Sequence, residues 1–251
     1  MSDAVVTRRY RATVAYDGTA YCGFQRQVAM QPTVQQELEH AISRLASDGV
    51  TVTAAGRTDS GVHARGQIIS FELAWRHDVD SLQRAVNASL PADIALLSLS
   101  ESDPDFHPRY DARRRAYRYY LYNAATRNPL HRLYSWYVRR PLNVAHMNEA
   151  ARHLVGVHDF ATFGQPPQGE VTVREIFRAE WQRQDEMLVF CIEGNAFLYR
   201  MVRSIVGSLA AVGRGAWTVD GFVSAFEACD RSRSAATAPP QGLCLHSVSY
   251  D

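Results

Sequence analysis

An arginine and an aspartate, Arg57 and Asp59, stand two positions apart in the run Ala55-Gly56-Arg57-Thr58-Asp59-Ser60-Gly61-Val62-His63-Ala64. The run separates two segments of strand-like alternation. Before it Val50, Val52 and Ala54 alternate with Thr51, Thr53 and Ala55; after it Ile69, Phe71 and Leu73 alternate with Ser70 and Glu72, the period of a half-buried strand. Gly56 and Gly61 bracket the turn, and glycine permits positive φ and close approach to the backbone. A carboxylate and a guanidinium would thus be presented together from a rigid frame, as an active-site loop requires. The same residues also satisfy a plainer description, because Asp-Ser-Gly is ordinary turn chemistry and an Arg near an Asp is often a solvated pair. Spacing leaves both open.

The elements that must position this loop alternate between strand and helix patterns. Arg9 to Tyr16 reads as a strand. Thr33 and Gln36 form a capping-box pattern ahead of a helix whose stripe is Val34, Leu38, Ala41, Ile42 and Leu45. Val79 to Ala88 reads as a helix stopped by Pro91, and Ile94 to Leu99 as a strand. Tyr110 to Ala112 is the expected crossover, followed by a strand from Arg113 to Asn123 and a helix from Val144 to Leu154 capped by Asn143. Strands are expected around Val173 to Trp181 and Met187 to Glu193. The most periodic helix then places Leu198, Met201, Val202, Ile205, Val206, Leu209 and Val212 on one face, with Arg200 and Arg203 off it. No internal repeat or low-complexity linker stands out.

The strand from Arg113 carries a second chemistry. Its period puts Arg113, Arg115, Tyr117 and Tyr119 on one face, mixing cations with π surfaces. Guanidinium groups hold phosphates while a ring stacks on an unpaired base, which suits RNA; aromatic strands are also common in cores.

Composition narrows the classes. The chain has 251 residues, 46% of them hydrophobic, enough for one large domain or two smaller ones with ordinary cores. No apolar run reaches membrane-spanning length, and Met1-Ser2-Asp3 followed by Arg8-Arg9-Tyr10-Arg11 lacks the apolar core of a signal peptide, so a cytoplasmic location is expected. Cys22, Cys191, Cys229 and Cys244 form no C-x-x-C pair, which argues against a zinc site or a disulfide framework; reduced, partly buried thiols are expected. Net charge is +1, and all 27 basic side chains of the Lys and Arg class are arginine. No lysine nucleophile or Schiff base can form, and any side-chain cation held to phosphate is a guanidinium or a protonated histidine. Arginines gather at Arg8, Arg9 and Arg11, from Arg109 to Arg118, at Arg139 and Arg140, and at Arg200 and Arg203, as basic patches or as solvated faces. The histidines give no H-E-x-x-H pattern, and dinucleotide, Walker and G-x-S-x-G motifs are absent, so neither metal nor cofactor is expected.

The run from Gly56 to Ala64 resembles the central motif of the tRNA pseudouridine synthase A (TruA) family. Tyr16-Asp17-Gly18 and Gly23-Phe24-Gln25-Arg26-Gln27 resemble its N-terminal segment, Asn87-Ala88-Ser89-Leu90-Pro91 and Phe106-His107-Pro108-Arg109 its middle, with Tyr117-Arg118-Tyr119 following in order. Gly194-Asn195-Ala196-Phe197-Leu198, Met201-Val202-Arg203, Ile205-Val206-Gly207 and Ala238-Pro239-Pro240-Gln241-Gly242-Leu243 resemble its last blocks, so the likeness spans nearly the whole chain. Ser60 and Ala64 are variants at small loop positions, and Phe24 stands where the family often has Trp.

That resemblance implies an α+β pseudouridine synthase fold. Its two similar halves, 1–110 and 111–251, would each be an antiparallel sheet packed by helices, with the active-site cleft between them. It implies isomerisation of uridine to pseudouridine at positions 38, 39 and 40 of the tRNA anticodon stem-loop, by a homodimer, without cofactor or obligatory metal. Asp59 is then the catalytic residue, either as covalent nucleophile or as base toward a ribose proton. Arg203 is its ion-pair partner, Arg57 displaces the target base and contacts phosphate, Tyr117 lines the uracil pocket, and Leu198 walls it. Two other functions use the same residues. A noncatalytic RNA-binding or chaperone protein would show binding without turnover, and a nucleoside or glycoside hydrolase, using Asp59 with a second carboxylate, would release free uracil.

Overall fold

In a computed structural model, residues 6–27, 31–46, 48–166 and 169–251 are described. Met1-Ser2-Asp3 lie outside them. The chain forms two compact units, Met1–Ala112 with Leu245–Asp251, and Arg113–Cys244. The sequence assigns everything after residue 110 to the second half, whereas the last seven residues return to the first unit. Both units mix α-helix with β-sheet.

In the first unit β1 (Thr7–Tyr16), β2 (Thr53–Ala54), β3 (His63–Ala74) and β4 (Ile94–Glu101) make an antiparallel sheet, with β1 between β4 and β3 and β2 on the far side of β3. The helices are α1 (Val34–Ser43) and α2 (Val79–Ser89). Period-two burial is clearest in β1, where Tyr10, Ala12, Val14 and Tyr16 are buried and the residues between them are not. Tyr10 faces Phe71 across the ladder with ring centroids 5.6 Å apart, a pair that fixes the register. Ile69, Phe71 and Leu73 are buried as their alternation demands. Ser70 is buried as well, as is Ile68 beside it, so both faces of β3 are covered there.

The second unit orders β5 (Arg114–Asn123), β9 (Met187–Gly194), β8 (Val173–Gln184) and β7 (Gly156–Asp159) as an antiparallel sheet. A three-residue strand, β6 (Trp136–Val138), is parallel to β5, an addition to the antiparallel sheet that the sequence reading expects. The helices are α3 (Val144–Arg152), α4 (Met201–Gly213) and α5 (Val219–Glu227), and β10 (Leu243–Ser249) ends the chain's regular structure. Every residue of α4 except Arg203 is buried, not one stripe of it. The cause is a covering segment: a Cβ at Gly207 would fall 2.0 Å from the Ala236 carbonyl oxygen, so the chain near Ala236 lies directly on the helix. Leu198, counted with that helix by its spacing, precedes it.

Capping residues set several helix starts. Thr33 accepts from the Gln36 N–H at 3.4 Å, Asp78 from Ser81 at 2.7 Å and Asn143 from His146 at 3.1 Å. Both units also tie a helix to a strand through an asparagine. Asn87 of α2 accepts from the Leu96 N–H at 2.8 Å and donates to the Leu96 carbonyl at 2.9 Å. Asn148 of α3 does the same to Trp181 of β8, at 2.7 and 3.0 Å. Each side chain substitutes for a neighbouring strand that the sheet lacks at that point. The strand expected from Val50 shrinks to the two residues of β2, and α5 and β10 have no counterpart in the sequence reading.

Candidate active site

The loop carrying Arg57 and Asp59 joins β2 to β3 and is held from beneath. Pairing continues one residue past β2, where the Ala55 N–H donates to the Ile68 carbonyl at 2.8 Å. Thr58 then turns inward. It is buried, its hydroxyl lies 2.8 Å from the Tyr16 hydroxyl, and its carbonyl accepts from the Phe24 N–H at 3.1 Å. On either side of this anchor Arg57 is exposed and Asp59 half-buried. The turn closes as the Val62 N–H donates to the Asp59 carbonyl at 3.1 Å, with Gly61 at φ 75°. Tyr21 supplies its carbonyl to the Gly61 N–H and the Ser60 hydroxyl, at 3.3 and 3.2 Å.

Two glycines let the N-terminal segment lie this close. A Cβ at Gly18 would sit 2.0 Å from the Val62 carbonyl oxygen; one at Gly23, whose φ is +92°, would sit 2.8 Å from that of Thr58. Gly56 behaves differently from the expectation: its φ is not positive and a Cβ there would meet nothing within 4 Å. Phe24, in the place where Trp is frequent, is buried under the loop and tilts against Tyr16 at 6.1 Å. The Gly18 N–H donates to His63 Nδ1 at 3.0 Å, and Asp17 Oδ1 lies 3.1 Å from the same nitrogen.

Two buried polar side chains outside the residues expected from sequence brace the loop and the chain ahead of it. Gln67 of β3 is fully buried and donates through Nε2 to the Gly56 carbonyl at 2.8 Å, fixing the peptide that leads into Arg57, while its Oε1 has no partner among the described residues. Glu39 lies on the buried side of α1. It accepts from the Val52 N–H at 3.1 Å and from Gln35 at 2.9 Å, and pairs with Arg26 at 2.8 Å, tying α1 to the chain ahead of β2. Glu39 lies beside the apolar stripe of α1 and not within it, so helical spacing gave no signal for its burial. For Gln67 the signal was its parity, which it shares with Ile69, Phe71 and Leu73 on the buried face of the strand.

The second unit carries Tyr117, Leu198 and Arg203. Tyr117 stands opposite Ile192 in the ladder, half-buried, with its ring edge-on to Phe197 at 5.0 Å. The face it was expected to share divides along the strand. Arg113 is exposed, but Tyr119 is fully buried and donates to the Pro239 carbonyl at 2.9 Å, burial pushing its phenol well above the usual tyrosine range. Tyr119 is therefore a core residue. Leu198 is buried beside Gly164, where a Cβ would lie 2.5 Å from its own Cβ. Arg203 donates from Nε to the Ala238 carbonyl at 2.8 Å, and the Ala238 N–H returns a bond to the Arg203 carbonyl at 3.0 Å. That reciprocal pair orients the guanidinium at the first turn of α4.

Several arginines of the basic clusters are paired. Arg8 meets Glu101, Arg9 meets Glu72 and Arg114 meets Glu193. Exposed pairs of this kind contribute little to stability. The cysteines depart from expectation at Cys229, which is exposed. Among the described residues no group of three or more His, Cys, Asp or Glu side chains gathers as a metal site, and no helix is long and apolar enough to cross a membrane.

The first unit thus presents Arg57 and Asp59 on a braced loop, and the second carries Tyr117 on a strand and Arg203 on a helix. The family model described as tRNA pseudouridine synthase matches residues 12–111 and 150–251, and the chain belongs to that family. It is 43% identical over 245 residues to tRNA pseudouridine synthase A of Pseudothermotoga lettingae, covering 97% of this chain and 100% of the relative. Identity is 41% over 248 residues to the protein of that name from a Geobacillus species, covering 98% and 100%, and 44% over 245 residues to that of Rhodospirillum rubrum, covering 96% and 87%. Among solved structures, the chain aligns with a Cbf5-Nop10-Gar1 complex at 9% identity and a TM-score of 0.37. The alignment covers 80% of this chain and 44% of the other, a likeness too weak to assign a fold.

Proposed function

We propose that this chain isomerises uridine to pseudouridine in tRNA, with Asp59 as the catalytic residue. The observation that carries the reading is the family match, with a relative aligned over 97% of the chain, combined with the buried Thr58 anchor, which fixes the backbone between Arg57 and Asp59. The reaction breaks the ribose C1′–N1 bond, turns the uracil and forms a C1′–C5 bond; the C5 proton leaves and N1 gains one, so no electrons are exchanged. Asp59 serves as nucleophile at C1′ or as base toward a ribose proton, and needs to be ionised in either role. Arg203 is its counter-ion in this reading, Arg57 takes the space of the displaced base and holds backbone phosphate, Tyr117 stacks on the uracil and Leu198 closes the pocket. The substrate sites are uridines 38, 39 and 40 of the anticodon stem-loop, and the working form is a cytoplasmic homodimer.

The test is to map pseudouridine in unmodified tRNA before and after incubation with the purified protein, and to repeat it with Asp59→Asn. Wild type should convert uridines in the anticodon stem-loop. The variant should be inactive while its tRNA affinity stays within about tenfold, or roughly 1.4 kcal/mol. Residual turnover by Asp59→Asn removes the assignment, release of free uracil points to a hydrolase, and binding without any product points to a noncatalytic RNA binder.

A further inference from the structure

The turn Phe106-His107-Pro108-Arg109-Tyr110-Asp111 is closed on itself. The His107 N–H donates to Asp111 Oδ2 at 2.8 Å and the Asp111 N–H donates to the His107 carbonyl at 3.1 Å. His107 Nδ1 accepts the N–H groups of Arg109 and Tyr110 at 3.2 and 3.3 Å, so it is the lone-pair nitrogen of the ring. The turn is also anchored from outside. Arg9 donates to the Phe106 carbonyl at 3.2 Å, Tyr250 donates to the Pro108 carbonyl at 2.8 Å, and the Arg11 guanidinium lies over both the Phe106 and Tyr250 rings, at 5.1 and 4.2 Å.

On this rigid turn Tyr110 is 74% exposed. Its ring is not loose: it lies 4.2 Å from the His107 ring at an interplanar angle of 32°, with the Arg109 guanidinium 5.9 Å from its centroid. A large aromatic surface held in water, already ordered and beside a cation, is what base stacking requires, because the entropic cost of fixing the ring is met before a ligand arrives. Resting on the RNA substrate proposed above, we infer that Tyr110 is a stacking platform for an unpaired nucleobase of that RNA other than the target uridine.

The test compares wild type, Tyr110→Ala and Tyr110→Trp for binding and turnover of an unmodified tRNA transcript, and of transcripts carrying single abasic positions outside the target sites. Tyr110→Ala should raise Kd and KM roughly fivefold to a hundredfold with kcat within about twofold, and Tyr110→Trp should restore binding. At one abasic position wild type and Tyr110→Ala should bind alike. Equal affinities on the intact transcript, failure of Trp to restore binding, or a deficit that no abasic position cancels would overturn the platform. So would a smaller oligomer for Tyr110→Ala in sedimentation, since the ring would then be a contact between copies. A wild type that binds RNA through Tyr110 but makes no pseudouridine would overturn the proposed function and leave the platform standing.

Discussion

Thr58 shows how a single buried residue fixes the backbone on which the proposed chemistry depends. Its buried hydroxyl and carbonyl are both engaged, by Tyr16 and by Phe24, so the residues on either side are held by a fixed peptide. Gln67 fixes the next peptide back, at Gly56, and an acceptor buried without a partner at this point costs about 1–3 kcal/mol unless water fills it. Arg57 leaves this frame into solvent. If Arg57 displaces the target base, its flat forked guanidinium matters and not its charge alone, and lysine is a poor replacement. Arg57→Lys should therefore bind tRNA with nearly the wild-type salt dependence yet turn over slowly, and a fluorescent base analogue next to the target uridine should report reduced unstacking. Wild-type unstacking and turnover in that variant would reduce Arg57 to a general electrostatic role.

At the scale of elements, the asparagines of α2 and α3 do comparable work with unequal support. Asn148 alone satisfies both the N–H and the carbonyl of Trp181. At Leu96 the carbonyl that receives Asn87 also accepts from Gln83 Nε2 at 3.0 Å. Removing a partner from a part-buried backbone group costs on the order of 1–3 kcal/mol, less where a second donor remains. Asn148→Ala should thus destabilise by about 2 kcal/mol and Asn87→Ala by about half that in urea denaturation. Equal losses would show that Gln83 gives no cover. Helix α4 makes a related point: buried nearly all round, it holds Arg203 at its one part-exposed position by a reciprocal bond to Ala238, and the close approach at Gly207 keeps that segment in place.

For the molecule as a whole, the absence of lysine makes phosphate recognition chemically separable from amine chemistry. Every permanent side-chain cation is a guanidinium, and a near-neutral chain has to concentrate those that face RNA, since some others are held in pairs such as Arg26 with Glu39 and Arg178 with Glu180. Treatment with an amine-acylating reagent should leave tRNA binding unchanged, while a dicarbonyl reagent specific for arginine should abolish it, with prior tRNA binding protecting the protein. Sensitivity to the acylating reagent would place the α-amino group, a hydroxyl or an imidazole, and not arginine, at the centre of RNA binding.

Elements with a strong local pattern were legible from sequence: β1 as a strand, β3 by alternation, α1 by its capping box and stripe, α2 by its stop at Pro91, α3 by its Asn143 cap, and the candidate loop by its position between strand patterns. These depend on neighbouring residues, whose spacing is visible in one dimension. Tertiary structure decided the rest. Tyr119 became core because Pro239, 120 positions away, accepts its hydroxyl, and α4 lost its polar face because the chain near Ala236 covers it. Gln67 and Glu39, polar by type, are buried because distant backbone groups needed partners. Whether a polar or aromatic residue faces solvent, packs or positions a loop depends on atoms that the fold brings from far along the chain, and no local period encodes them.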